Sequence, residues 1–415
     1  MSSETALVRS AYEEREDVVS AFFHAEAVRL SELCHVMARR FIRGGRLIAF
    51  GLGAAATDAQ HVSVEFVHPV IVGKRALPAL ALPNDIASTT GLASADPQGF
   101  LGRQLTVLGM REDIALGMTH GADGNLAAVE EAIRRAHDLG MLSILLSDRG
   151  EAFDARPDYC FAVPSSDPFT VQEVHETLYH VLWELVHVFF EHKGLLVDRP
   201  RGTTHDTGGS SFLYPFLAEG ETDLDAVLAD VRASVLKKAE EIIRLRRDSM
   251  DPQGLAETAR RISERLDSGG KVLTFGNGGS ATDAQDLVVD LVAPPGGARP
   301  LPALSLTNDA AVVTAVGNDV GFENVFARQV ISYGRDVDVA VAISTSGGSR
   351  NVLSAVEESR KRGLMTVCLA GYGGGRLAEM CDRAHVVEAD YVPRIQEAQA
   401  SQYHCLRRLL DLKQR

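Results

Sequence analysis

The sequence predicts an α/β protein built from two tandem copies of one parallel-sheet domain. Three observations lead there. Strand-like and helix-like segments alternate along each half, which is the pattern of a parallel sheet covered on both faces. The second half repeats the first, Gly51 corresponding to Gly276 at an offset of 225. The apolar run 272–275 also stops at a glycine-rich turn that opens a helical pattern, and its counterpart at 47–50 does the same.

In chain order, apolar positions at helical spacing (Val18, Val19, Phe22, Phe23, Ala27, Leu30, Leu33, Val36, Met37, Phe41) run to Gly44-Gly45, a C-cap signal, and predict one or two leading helices. Arg46 to Phe50 reads as a strand and Gly51 to Phe66 as a loop and helix. The repeat continues with Leu77-Pro-Ala-Leu80 against Leu301-Pro-Ala-Leu304, Asn84-Asp85 against Asn308-Asp309, and Val171-Gln172-Glu173 against Ile395-Gln396-Glu397. Residues 1–192 and 222–415 are therefore read as two domains. Residues 193–221, rich in Gly, Pro, Ser and Thr, read as a linker or lid in which Phe212, Tyr214 and Phe216 are available to pack, and His205-Asp206 reads as a solvated loop pair with a catalytic pair as the alternative.

The 415 residues are too many for one ordinary core, and 45% hydrophobic content with 24% charged residues describes a globular protein. A net charge of -14 opposes nucleic-acid and anionic-membrane binding, so an anionic substrate has to be held by local dipoles and hydroxyls. Cys34, Cys160, Cys368, Cys381 and Cys405 are odd in number and form no CxxC pair, which predicts reduced thiols in a cytoplasmic protein. The polar start has no apolar core of a signal peptide, and no run of eighteen apolar residues occurs.

Two loops carry the chemistry. In Gly276-Asn-Gly-Gly-Ser280 the glycines allow close backbone approach, and Ser280 either caps the following helix or grips an anion, for which phosphate is the natural guest. The run 339–343 ends in Ser344-Thr-Ser-Gly-Gly-Ser349, whose four hydroxyls suggest the other half of one phosphate clamp. The first half has lost this clamp: Asn277 and Ser280 correspond to Leu52 and Ala55, and the hydroxyl run to Thr119-His-Gly-Ala-Asp123. It keeps His61 and Glu65 at i, i+4, spaced for metal ligands or an acid/base pair, and Gln172 and His180 about two helical turns apart. The second half offers Asp286, Asp290, Gln396 and His404 instead.

The segments GNGGSATDAQ, TAVGNDVGFENVFARQV, AISTSGGSRNV and PRIQEAQ resemble the SIS (sugar isomerase) family, in particular the bacterial phosphoheptose isomerases, over residues 222–415. The resemblance implies a flavodoxin-like three-layer α/β/α sandwich in each half, with the paired loops holding a sugar phosphate. It implies that Glu65 is the base and His180 its acid partner, with Asp290 and His404 as the matching pair of the second half. It further implies that His61, Glu65, Gln172 and His180 hold zinc or another divalent metal as some members do, that no nucleotide cofactor is used, and that Asn277, Ser280, Asp319, Ser344, Thr345, Ser346 and Ser349 contact the substrate. An Arg that follows the base-bearing helix in the typical heptose enzyme has no match in Phe66-Val-His-Pro69 or Leu291-Val-Ala-Pro294, which puts the identity of the sugar in doubt.

Ten residues separate Ser280 from Asp290, about 15 Å along a helix, whereas an extended seven-carbon sugar phosphate spans roughly 9 Å. A clamp and a base on one helix are thus poorly placed for one molecule, and the losses in the two halves are complementary. The sequence-based expectation is an aldose-ketose isomerase converting sedoheptulose 7-phosphate to a heptose 7-phosphate through an enediol, with Glu65 and His180 serving the phosphate held by the second half. The chain is expected to form a homodimer resembling a tetramer of single domains. The alternative is a catalytically silent sensor of sugar phosphates or a protein-binding regulator.

Overall fold

The computed structural model describes residues 2–412 apart from 72, 122–125, 149–152, 154, 193–194 and 197–222. The first half runs α1 (Ser3–Ile42), β1 (Leu47–Phe50), α2 (Ala54–Val67), β2 (Ala79–Ala81), α3 (Ile86–Ala95), α4 (Phe100–Leu108), β3 (Ile114–Met118), α5 (Leu126–Asp138), β4 (Leu142–Ser147), β5 (Tyr159–Ala162) and α6 (Pro168–Glu191). The second runs α7 (Leu224–Asp248), α8 (Pro252–Asp267), β6 (Val272–Phe275), α9 (Gly279–Val292), β7 (Ala303–Ser305), α10 (Ala310–Asp319), α11 (Ala327–Tyr333), β8 (Val339–Ser344), α12 (Arg350–Lys361), β9 (Met365–Ala370), α13 (Gly375–Met380), β10 (Arg383–Val386) and α14 (Val392–Leu412). Of the linker expected at 193–221, only Leu195 and Leu196 are described; His205, Asp206, Phe212, Tyr214 and Phe216 lie outside the described residues.

Each half forms a five-stranded, wholly parallel sheet, in the orders β2-β1-β3-β4-β5 and β10-β9-β8-β6-β7. This is the flavodoxin-like doubly wound order, in which connections leave to opposite faces on either side of one switch point. The strands are continuous apolar runs because both faces are covered. Val339, Val341 and Ile343 pack with residues of α8, α9 and α14, while the alternate residues Ala340 and Ala342 pack with α11, α12 and α13. In the first half Ile48, Phe50, Ala115 and Leu145 meet α4 and α5.

The packing units do not follow the repeat. One comprises Val18–Glu240 and the other Met1–Asp17 with Glu241–Arg415; they are called the N-terminal and C-terminal units below. Relative to the repeat, read as 1–192 and 222–415, the packing units exchange parts of the two leading helices. Val8, Ala11 and Tyr12 of α1 belong to the core beneath the second sheet, and Glu16 pairs with Arg247. Lys238 of α7 pairs with Glu184 of α6. A helical stripe announces that a face is buried without naming what buries it.

Candidate functional site

In the C-terminal unit the order of the sheet reverses between β6 and β8, and the loops that follow these two strands lie at neighbouring carboxyl ends. Gly278 caps α9 at φ 57, with no side-chain hydrogen bond to the cap, and Ser349 caps α12 likewise without one. Ser280 is inside α9, so its hydroxyl is not the cap. Neither cap residue covers its helix start with a side chain, which leaves the usual anion site there. The loops must run close to their surroundings: a Cβ on Gly276 would lie 2.4 Å from the Ser280 carbonyl oxygen and 2.8 Å from that of Ile343. Gly347, at φ +60, lies against Gly374 so tightly that a Cβ would come within 2.2 Å of its carbonyl oxygen.

The structure brings Asn277, Ser280, Ser344, Thr345, Ser346 and Ser349 to these two loops. Ser280 and Ser344 are buried, Thr345 and Ser349 half-buried, and Ser346 exposed, its Oγ accepting from Gly348 N at 3.3 Å. The Asn277 amide exchanges two hydrogen bonds with Asn351 of α12, at 2.9 and 2.7 Å. Asp319 ends α10 in an exposed position and accepts from Asn318 Nδ2 at 2.8 Å.

The N-terminal unit keeps the backbone of the first loop, with Gly53 at φ 63 before α2, but not its polar groups. At the second loop, Thr119 donates to Ser147 Oγ at 3.3 Å, and His120 Nε2 lies 2.7 Å from Asp58 Oδ2 with its ring 5.3 Å from that of His175. An imidazole–carboxylate pair replaces the hydroxyls, with the His175 ring beside it. Ala122 and Asp123 lie outside the described residues.

Facing α2 and α6 carry the acid/base residues. His61 Nε2 lies 3.4 Å from His180 Nε2 and 3.9 Å from Glu65 Oε1. One atom each of His61, Glu176 and His180 fall within 4.8 Å of one another, all three buried. Burial, then the His180 ring, holds His61 well below its ordinary pKa, leaving a neutral imidazole. Burial raises the Glu65 carboxyl, and Glu65 Oε2 makes no hydrogen bond. Two imidazole nitrogens on one tetrahedral zinc stand about 3.4 Å apart at ordinary bond lengths, the spacing found here, so the residues fit a divalent cation. Gln172 is buried on the same helix as His180. The sequence reading missed Glu176, although Gln172, Glu176 and His180 step by four along one helix face.

In the C-terminal unit His404 Nε2 is 3.5 Å from both Asp286 Oδ2 and Asp290 Oδ2. These three also offer a cation site, richer in oxygen and without a second imidazole. Tyr403 Oη donates to Asp286 Oδ2 at 2.8 Å. Leu291-Val-Ala-Pro294 at the end of α9 has no Arg, but Arg407 reaches the helix from α14, Nε donating to the Asp290 carbonyl at 2.7 Å and Nη2 to that of Arg299 at 3.0 Å.

The SIS domain family pattern matches residues 12–147 and 237–371. The chain belongs to the SIS domain family. Among curated relatives, phosphoheptose isomerase of Rhodospirillum rubrum is 45% identical over 158 residues, 38% of this chain and 84% of that protein. Phosphoheptose isomerase of Desulfovibrio desulfuricans is 48% identical over 158 residues, 38% of this chain and 75% of that protein. Among solved structures, the C-terminal domain of glucosamine-fructose-6-phosphate aminotransferase from Francisella tularensis covers 97% of this chain and 94% of its own at TM-score 0.57 and 10% identity, a likeness of fold. The chain is thus two SIS domains in tandem, and the identity to phosphoheptose isomerases extends over one of them. Among the described residues no helix is long and apolar enough to cross a membrane.

Proposed function

We propose that the protein is an aldose-ketose isomerase of a sugar phosphate, with sedoheptulose 7-phosphate as its substrate and a heptose 7-phosphate as its product. The observation that carries this reading is the meeting of two anion-binding loops at the switch point of the C-terminal sheet, hydroxyl-lined and open at both helix starts. The relatedness to phosphoheptose isomerases supports the choice of sugar. In this reading Ser280, Ser344, Thr345, Ser346 and Ser349 and the first N–H groups of α9 and α12 anchor the phosphate. Asp319 contacts sugar hydroxyls.

Glu65 takes the proton from the carbon next to the carbonyl and returns it to the neighbouring carbon, which exchanges aldose and ketose through an enediol. His180 hands a proton to the carbonyl oxygen as the enediol forms and takes one back from the neighbouring hydroxyl as that oxygen becomes the new carbonyl. Burial suits Glu65 to this work, because a carboxyl of raised pKa is a stronger base once ionised. His61, Glu65, Gln172, Glu176 and His180 would hold a divalent cation such as zinc, and it would supply Lewis-acid stabilisation of negative charge developing on a sugar oxygen. Asp290 and His404 are the matching pair of the second copy, with a carboxylate one methylene shorter. No nucleotide cofactor is required.

The protein acts in the cytoplasm, where its five free thiols stay reduced, and as a homodimer. The exposed Ile86, Val320 and Phe322, together with α3 and α10, which bury none of their residues in the single chain, supply apolar surface for that assembly.

The test is conversion of a panel of ketose phosphates, sedoheptulose 7-phosphate included, followed by proton exchange with solvent. Turnover with exchange is expected. Tight binding without turnover would convert the reading to that of a sensor. Metal analysis of the purified chain should find a divalent ion at the His61 site, and Glu176→Gln should weaken its retention by about tenfold or more.

A further inference from the structure

We propose that Asn277 and Asn351 form an amide strut that holds the two anion loops of the C-terminal unit in register, making both positioning residues for the phosphate. The proposal rests on the functional reading above; it adds Asn351 and gives Asn277, expected from the sequence to contact the substrate, an indirect role. Each amide donates to the other's oxygen, Asn277 Nδ2 to Asn351 Oδ1 at 2.9 Å and Asn351 Nδ2 to Asn277 Oδ1 at 2.7 Å. Asn351 Oδ1 also accepts from Val352 N at 3.0 Å, which fixes its side chain to the first turn of α12. Asn351 is buried. The cyclic pair therefore ties the glycine turn after β6 to the first turn of α12, the helix that follows the hydroxyl loop after β8. Among the described residues no other side-chain hydrogen bond joins these two stretches.

The first half supplies the comparison. Val339 follows Ile114 by 225 positions and Met365 follows Leu142 by 223, so the N-terminal segment between β3 and β4 is two residues longer. The buried stripes of α5 and α12 superpose at the smaller offset, Ala128, Val129, Ala132, Ile133 and Ala136 against Asn351, Val352, Ala355, Val356 and Ser359. Asn277 thus corresponds to Leu52 and Asn351 to Ala128, and both replacements sit in one apolar cluster. The half that lost the hydroxyls lost both amides together. A strut for the fold alone would have no reason to disappear with the anion groups, since the apolar pair folds the same loop backbone. A buried amide left without its partner is costly, which explains why both change or neither does.

The experiment is a titration of the full chain with inorganic phosphate and with sedoheptulose 7-phosphate, in the wild type, Asn351→Ala, Asn277→Leu and the double variant Asn277→Leu/Asn351→Ala. Asn351→Ala is expected to lose tenfold or more in affinity and to raise KM by a similar factor with kcat kept within about twofold, the signature of lost uniform binding. The double variant should lose no more than the worse single one, because both act through one contact, while melting close to the wild type. Wild-type affinity in Asn351→Ala, a kcat loss at unchanged KM, or losses that multiply in the double variant would overturn the strut. If Asn351→Ala does not fold, the double variant carries the test, being built from a pair this chain already folds around. A wild-type chain that binds neither ligand refutes the functional reading, and the strut with it; binding in the wild type with unchanged variants refutes the strut alone.

Discussion

At Glu65 the burial that strips solvent from the carboxyl also raises its affinity for a proton. Turnover needs the ionised form, so the acidic limb of the kcat profile should lie above 4.5, the ordinary value for a glutamate; a limb below it would remove Glu65 from the role. Glu65→Gln should abolish turnover and leave KM nearly intact, since the amide keeps the shape and cannot accept the proton. Asp290→Asn should be the milder lesion, and the reverse order would assign the base to the second copy. Ser280→Ala should weaken phosphate binding by about 1–3 kcal/mol, the range for a hydrogen bond to a charged group, as read by titration. The residues visible in the sequence were those with a local signature: His61 and Glu65 one helical turn apart, and the hydroxyl cluster after a strand. Glu176 was equally legible from its four-residue step but had no counterpart to draw the eye, because Ala400 stands in its place in the second half. Asn351 was not legible, since its partner lies 74 positions away and only folding brings them together.

At the scale of elements, the anion loop depends on what backs it. A Cβ at Gly347 meets strain from φ +60 and a carbonyl at 2.2 Å, while one at Gly44, at φ +91, meets nothing within 4 Å. Gly347→Ala should therefore destabilise the chain by more than the about 1 kcal/mol expected of Gly44→Ala and should also weaken phosphate binding, both read by thermal melting with and without phosphate. Equal melting losses would show that the loop can move away from Gly374. Strand β10 and helix α8 are joined where His385 Nε2 meets Thr258 Oγ1 at 3.0 Å, and burial, opposed by Asp251 and aided by Arg383, lowers the His385 pKa to about 4. The unfolded imidazole takes a proton that the folded one refuses, so this contribution is whole above pH 6.5 and is lost as pH falls toward about 4. Urea midpoints should decline through that window, and His385→Gln should flatten the decline by about 1.4 kcal/mol per pH unit. An unchanged slope would place the proton uptake elsewhere.

For the whole molecule, alternation and the repeat made both parallel sheets legible, because a strand covered on two faces must be apolar throughout and a duplicated sequence must fold twice. The membership of the units was not legible, since Val8, Ala11 and Tyr12 look the same whichever core receives them. Tyr12→Ala should loosen α8 and α14, not α5, in hydrogen exchange, and loss of protection in α5 would contradict the assignment of residues 1–17 to the C-terminal unit. Light scattering at micromolar concentration should find a dimer, and a fully active monomer would refute that assembly. The division at Asp17 and Glu240 also sets a timetable. During synthesis residues 1–17 leave the ribosome long before the core they join, whose last strand ends at Val386, so at about 5–20 residues per second they wait some tens of seconds with Val8 and Tyr12 uncovered. The N-terminal unit cannot close until Val227, Val231 and Val235 have emerged. Neither half is finished when its own repeat is, and a gene cut at the repeat boundary would yield two fragments each missing a piece of its interior.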